Sequence, residues 1–505
     1  MKKIISVLLL IPFGFISCTA QNDNSEINRD LRRIVEKYYD NQDFIGSVLV
    51  AQNGNILLSD GYGFADMEGK IANTPNTCFF LASVSKLFTV ACIAELKNKG
   101  LLNYNSTLSE FIPDYPNGDK ITIEHLLQHK SGIVDVVNET PYDFKTEFTS
   151  IPDLIGEFKQ LPLNFQPGER YQYCTSGYVL LAYIIEKVSG MSYSDFIQTQ
   201  IFDPLKMTNS YSVINTSPEN QAIGYNKVDG KFLPGEKFSL SQFVGAGNLS
   251  STTGDLYNWY NGLYKTRQIS TDYQSTHYGG IGGCTRTAFL FHAHADYVII
   301  ILSNYSEALV EQLGYELTCA LWKNIQNKNK FRLNDLKKLA GFYDYGNDGV
   351  LSLSERNGSL YAQLSGQQEL EIFPVAENEL VWQVVDASVK FETENGKLYA
   401  IHSQNGELIK APKVEPIKLS ASQLCNIAGN YDYGNDGILT VSEIDGRLWA
   451  KLSDQMEAEL FPITETEFFW MAVNAKIKFE SDVNGEIIKA IHFQDGLKTE
   501  APKLK

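Results

Sequence analysis

Apolar and polar positions along the chain fall into three regimes. From Glu26 to Tyr39 apolar residues return every three or four positions, which predicts an amphipathic helix. Ile45 to Ala51 and Asn55 to Tyr62 then flank Asn53-Gly54, the pattern of two strands joined by a tight hairpin. Leu81 to Leu96 predicts a helix, Tyr297-Val298-Ile299-Ile300-Ile301-Leu302 a continuous apolar strand, and Ser306 to Asn324 another helix. A strand apolar on both faces has to be covered on both, so strands from the two ends of this region are expected to share one sheet, with the helical middle as an inserted lobe.

The third regime begins near residue 340. Short alternating runs such as Val350-Leu351-Ser352-Leu353-Ser354 are separated by Asn357-Gly358, Asn395-Gly396 and Asn405-Gly406, an antiparallel β pattern. The segment Tyr343-Asp344-Tyr345-Gly346-Asn347-Asp348-Gly349 recurs 88 residues later as Tyr431-Asp432-Tyr433-Gly434-Asn435-Asp436-Gly437. Leu360, Leu364, Phe373-Pro374 and Phe391 repeat at the same offset as Leu448, Leu452, Phe461-Pro462 and Phe479, whereas Ala411-Pro412 and Ala501-Pro502 differ by two more, which predicts a two-residue insertion near the last hairpin. Two small barrels or sandwiches fit better than a solenoid, because the period is too long for a stacked repeat. Polar stretches at Lys328 to Lys338 and Ala411 to Gln423 are the expected linkers. The organisation expected is therefore a leader over residues 1–20, an α/β (α+β) region over 21–330 and two all-β units over 335–413 and 420–505.

Length and composition agree with this division. A chain of 505 residues exceeds what one core usually serves, and 43% hydrophobic with 20% charged residues is the balance of a globular protein. A net charge of −17 repels phosphate backbones, so nucleic acid is excluded as an expected partner. At the start, Lys2 and Lys3 precede an apolar run from Ile4 to Ile16 that is too short to span a bilayer and reads as an export signal. Phe15-Ile16-Ser17-Cys18 resembles a lipoprotein signal box, with lipidation of Cys18 as one outcome and cleavage after Ala20 as the other. A periplasmic or outer-membrane and cell-surface location is expected, with membrane contact only through a lipid on Cys18. The remaining cysteines, Cys78, Cys92, Cys174, Cys284, Cys319 and Cys425, show no Cys-x-x-Cys spacing and are expected to be mostly reduced structural thiols.

Candidate chemistry centres on Ser83 and Lys86. A three-residue spacing on a helix stacks the two side chains one turn apart. A serine attacks poorly unless a base takes its proton, and a lysine held partly out of water can be that base. The Ser83 amide at a helix N-terminus also suits an oxyanion. Ser-x-x-Lys alone is a short pattern, and a capping serine beside a solvated lysine would satisfy it equally.

Further stretches follow in order: Leu81 to Thr89, Ile121 to Gly132, Pro167 to Tyr173 leading into Ser176 to Leu181, Phe202 to Met207, Gly245 to Thr252, and His277-Tyr278-Gly279-Gly280. Together, from about Ile27 to Asn324, they resemble the serine β-lactamase and penicillin-binding-protein family, in its class C and D-peptidase or esterase branch, with Lys130 where the family more often has Thr. The resemblance implies a β-lactamase and DD-peptidase-like fold with an antiparallel sheet and a helical lobe. It implies Tyr173 as a second proton-transfer group and His277 on the strand edging the site. It also implies Gly280 as the oxyanion donor beside Ser83, with Gly279 letting the backbone approach substrate.

Two departures stand out. The family motif Tyr-x-Asn is here Tyr173-Cys174-Thr175, and a hydroxyl cannot offer the donor and acceptor pair of an amide. The interval from Thr252 to His277 is also short for the family. Both bear on what is cut more than on how, and peptidase or esterase activity is expected ahead of β-lactamase activity.

Other clusters favour structural roles. His292 and His294 alternate near Asp296, a pattern of hairpin rims more than of metal sites. Asp344, Asp348, Gly349 and Glu355, with Asp432, Asp436, Gly437 and Glu443, approach calcium-loop spacing but carry Gly at the third position, so a glycine-rich turn entering a strand is expected. No metal and no cofactor are implied. The expected function is an exported serine hydrolase forming an acyl-enzyme on an ester, D-amino-acid peptide or β-lactam-like carbonyl, with a small-molecule or peptidoglycan-derived peptide substrate. A non-catalytic wall-binding scaffold on the same fold is the alternative.

Overall fold

The computed structural model describes residues 25–504 except 140–146, 148–149, 214–217, 236–238, 265–275, 329–336, 377, 384, 386, 405–406, 454 and 495–496. The leader, Cys18, the Asn405-Gly406 turn and most of the first expected linker lie outside the described residues. In chain order the elements that position the site are α1 (Ser25–Asp40), β1 (Gly46–Gln52), β2 (Asn55–Tyr62), α2 (Ser85–Asn98), α3 (Thr175–Ser189), β3 (Leu249–Ser251), α4 (Thr253–Tyr264), β4 (His277–Ile281), β5 (Thr285–His292), β6 (Tyr297–Ser303) and α5 (Val310–Lys328).

The main sheet runs β4-β5-β6-β1-β2 and is antiparallel throughout. Strands from both ends of the region do share it, with β1 lying beside β6 and Leu49 opposite Ile300. β1 and β6 are buried at every position because both faces are covered. Val48, Val50, Leu290, Ile299 and Ile301 pack against Leu31 and Val35 of α1 and Leu313, Leu317 and Leu321 of α5. Leu49, Ala51, Phe289, Val298 and Ile300 join the larger core with Phe88 and Ile93 of α2, Leu180 and Ile184 of α3, and Trp259 of α4. The period-two alternation of strand side chains thus feeds two separate cores from one sheet.

Eight strands between Gly341 and Val414 form a closed barrel, the last pairing back on the first with Phe342 opposite Val414. Another eight between Gly429 and Pro502 form a sheet in sequential order, where Tyr431 bridges Lys503 and the Leu504 amide donates to Asn430 O at 2.7 Å. Asn395 and Gly396 have φ of 51° and 79°, the pair of left-handed residues that a two-residue hairpin turn needs. The calcium-like segments are turns. Asp344 accepts from the Gly346 amide at 2.9 Å and Asp432 from the Gly434 amide at 2.8 Å.

Three local expectations need correction. The helix after β6 starts at Val310, not Ser306, because the Ser306 amide donates to Tyr225 O at 3.1 Å instead of opening a helix. The second expected linker is largely structured: Ala411 belongs to the closing strand Glu407–Val414, and Ser420 caps a helix over Ala421–Ile427. The two-residue insertion sits one hairpin earlier than expected. Glu394 faces Lys397 across a two-residue turn in the first barrel, whereas Ser481 faces Ile487 across a longer loop in the second.

Each barrel grips what precedes it with the same face. In the first, Phe373, Val375 and Val381 join the core beneath Trp322 of α5, with the Trp322 and Phe373 rings 5.5 Å apart. His292, expected on a hairpin rim, ends β5 there. Its Nε2 donates to Trp382 O at 2.7 Å and its Nδ1 accepts from the Ala295 amide at 3.0 Å. In the second barrel the residues 88 positions later, Phe461, Ile463 and Phe469, pack on Phe342 and Val350 of the first. The Phe342 ring lies 5.2 Å from Phe461 and 5.2 Å from Phe469, and Lys476 pairs with Asp344 at 2.6 Å.

Candidate active site

Ser83 lies in a single 3-10 turn, Ala82–Val84, that feeds directly into α2. Ala82 carries φ of 47°, a left-handed conformation that alanine rarely adopts, so the turn is strained one residue before the serine. Neighbouring strands hold it there. The Leu81 amide donates to Leu249 O at 2.8 Å, and Thr287 Oγ1 on β5 donates to Leu81 O at 3.0 Å. A methyl group on Gly279 would lie 2.6 Å from Leu81 O and 3.0 Å from Ser83 N, so glycine is what lets β4 close on the serine turn.

Three expected residues meet at one atom. The Tyr173 hydroxyl donates to Ser83 Oγ at 2.7 Å, and Lys86 Nζ donates to the same oxygen at 3.4 Å and to Ala246 O at 2.9 Å. Lys86 is only 2% exposed, and an ammonium buried to that degree needs partners. Beyond the two oxygens it has the faces of Tyr173 and Tyr178, whose ring centroids are 4.9 and 5.5 Å from Nζ. The spacing of Ser83 and Lys86 therefore makes the contact expected of it, and Tyr173 arrives from the segment leading into α3.

His277 opens β4, the edge strand of the sheet. Burial and then the charge of Lys86 push its imidazole down to about 4, so the ring is neutral at pH 7. Gly280 pairs with Arg286 across the strands, and a side chain on it would meet Arg286 on the opposite face from Ser83. Thr175 is buried as the first residue of α3. Residues 265–275, within the short interval before His277, lie outside the described residues.

Two contributors were not singled out by sequence reasoning, although each sits in a quoted stretch. Ala246 supplies the carbonyl that anchors Lys86. His129 stacks on Tyr173 and on Tyr178, with centroids 4.6 and 5.1 Å away and interplanar angles of 28° and 29°. The matching order of the stretches was the available signal. Which atoms meet is a through-space fact that no spacing carries.

Chemically, the arrangement presents a hydroxyl with two proton-handling neighbours beside a strand that can hold an extended substrate. The β-lactamase family profile matches residues 31–283. Penicillin-binding protein 4* of Bacillus subtilis is 27% identical over 500 residues, which cover 94% of this chain and 99% of that protein. The teichoic acid D-alanine hydrolase of Staphylococcus aureus is 30% identical over 225 residues, 44% of this chain and 55% of that one. Among solved structures, D-amino acid amidase from Ochrobactrum anthropi complexed with D-phenylalanine superposes with a TM-score of 0.53 at 21% identity, covering 59% of this chain and 99% of that one. Fold and family define the protein's class as a serine hydrolase. The chain belongs to the β-lactamase family.

Proposed function

We propose that this chain is an exported hydrolase that opens D-amino-acid esters or peptides through an acyl-enzyme on Ser83. The observation that carries the reading is the convergence of Tyr173 at 2.7 Å and Lys86 at 3.4 Å on Ser83 Oγ. In this reading the Lys86 and Tyr173 pair carries, in the attacking state, one proton fewer than an ammonium and a phenol together, and the Ser83 proton passes to it as Oγ attacks the carbonyl carbon. The amides of Ser83 and Gly280 stabilise the oxyanion, and the pair returns the proton to the leaving alcohol or amine. Water, deprotonated by the same pair, then attacks the acyl carbon and releases Ser83. Neutral His277 contributes a hydrogen bond at the edge of the site.

Two considerations support the substrate class. Thr175 replaces the amide with which the family grips an acyl-amide side chain, which lowers the expected fit for β-lactams. A relative 30% identical over part of the same region is named as a teichoic acid D-alanine hydrolase. Export rests on Lys2, Lys3 and the apolar run that follows, and attachment to a membrane rests on lipidation of Cys18. Among the described residues no helix is long and apolar enough to cross a membrane.

The test is labelling with a fluorophosphonate and with fluorescent penicillin, comparing wild type with Ser83→Ala, followed by turnover of D-alanyl and L-alanyl esters. Labelling that disappears in Ser83→Ala, with the D-ester preferred, is expected. Wild-type protein that takes up neither probe is not a hydrolase of this kind.

A further inference from the structure

The residues on either side of Tyr173 are both tied to a single side chain and its own backbone. The Gln172 amide donates to His129 O at 2.9 Å, and the Cys174 amide donates to His129 Nδ1 at 3.0 Å. Between these two bonds the Tyr173 ring lies on the imidazole at 4.6 Å and 28°. The imidazole also stacks on Tyr178, whose hydroxyl donates to Leu127 O at 3.1 Å and whose ring shares the Lys86 ammonium with Tyr173. His129 is 8% exposed and has φ of 57°, so the chain adopts an unfavourable backbone conformation to put this ring here.

We propose that His129 is the positioning residue of the reaction, holding the Tyr173 hydroxyl on Ser83 Oγ by bracketing and stacking Tyr173. The inference rests on the reading of Ser83 as nucleophile and Tyr173 as its proton partner. A peptide N–H can only donate, so Nδ1 has to be an unprotonated acceptor, and the ring proton sits on Nε2. Burial, followed by the charge of Lys86 and the proximity of His277, favours that neutral form. An imidazole suits the position because it is flat enough to stack on two phenol rings and still accepts a hydrogen bond in its own plane. Phenylalanine supplies only the first property and asparagine only the second. A hydroxyl displaced by about 1 Å from the reacting oxygen costs on the order of a hundredfold in rate.

The experiment compares wild type, His129→Phe, His129→Asn, Tyr173→Phe and the double variant His129→Phe with Tyr173→Phe, using p-nitrophenyl acetate turnover and the rate of fluorophosphonate labelling. His129→Phe and His129→Asn should each lower kcat tenfold to a hundredfold with KM within about twofold of wild type. In the Tyr173→Phe background the His129→Phe change should cost less than about twofold more, because a residue that acts through Tyr173 has nothing left to position. Wild-type kcat in His129→Phe, or an undiminished loss in the double variant, overturns the inference. Should His129→Phe not fold, His129→Asn paired with Tyr173→Phe answers the same question. These outcomes separate the two claims: unlabelled wild type removes the hydrolase reading, whereas labelled wild type with an equally fast His129→Phe removes only the role of His129.

Discussion

In the catalytic region polar groups from distant parts of the chain converge around one oxygen, whereas in the two barrels the polar contacts that recur in both units are local. Ser83 with Lys86, Tyr173 and Ala246 converge from three segments, and the serine turn is strained at Ala82. In the barrels Glu355 and Glu443 each accept from the amide of a hairpin glycine three residues on, and Asp344 and Asp432 each cap their own turn. The first arrangement fixes reacting atoms at the expense of backbone freedom. The second holds shape and leaves chemistry untouched. Changes in the two regions should accordingly register in different measurements.

The largest effect is expected at Lys86. Lys86→Ala should slow acylation of Ser83 by about 10³-fold, while Tyr173 stays in place and the thermal midpoint changes little. An acylation rate near wild type would dissolve the contrast between the two regions. Gly279→Ala comes next, because its methyl would sit 3.0 Å from Ser83 N and 2.5 Å from Thr287 Oγ1. Displacement of the serine turn should cost about 10²-fold in kcat/KM, and stopped-flow labelling of folded protein would measure it.

The joint between the barrels should show the opposite profile. Phe342→Ala removes the ring that Phe461 and Phe469 cover and should lower the unfolding free energy of the second barrel by about 2 kcal/mol, with p-nitrophenyl acetate turnover unaltered. A fall in turnover would mean that the barrels reach the site. Acid should act more gently and on both regions, because burial also holds His402 and His492 of the barrels below the usual imidazole range. The folded-state values of His277 and His129, about 4 and about 3, lie below the 6.5 of an unfolded histidine. The unfolded chain therefore binds more protons than the folded one as pH falls through 6.5. Stability is complete above about pH 6.5 and declines towards pH 4 and below. His277→Gln should flatten the slope of melting temperature against pH, and an unchanged slope would show that its ring is not kept neutral by the fold.

Much of this was legible because the informative residues were either periodic or in motif order. β6 announced a sheet covered on both faces by running apolar without alternation, and the repeat at an offset of 88 announced two like units. Ser83, Lys86 and Tyr173 meet as the family resemblance implied. The role of His129 was hidden because it depends on closing the segment after Leu127 onto the one before α3, and sequence distance says nothing about that closure. The partners of His292 were hidden for a related reason. Its partners are carbonyls of a barrel 90 residues away, at Trp382 and Val385, and carbonyls leave no trace in residue type.

Because both barrels use the same grip, the molecule has a direction, with plug and socket alternating along it. The socket on the first barrel is lined by Phe342 and Val350. The positions 88 residues on are Asn430 and Ile438, both exposed, so the second barrel carries a plug but ends in a blunted socket. One ring therefore decides whether this face of a barrel can be gripped: Phe342 offers an apolar seat, and Asn430 at the matching position offers a polar one.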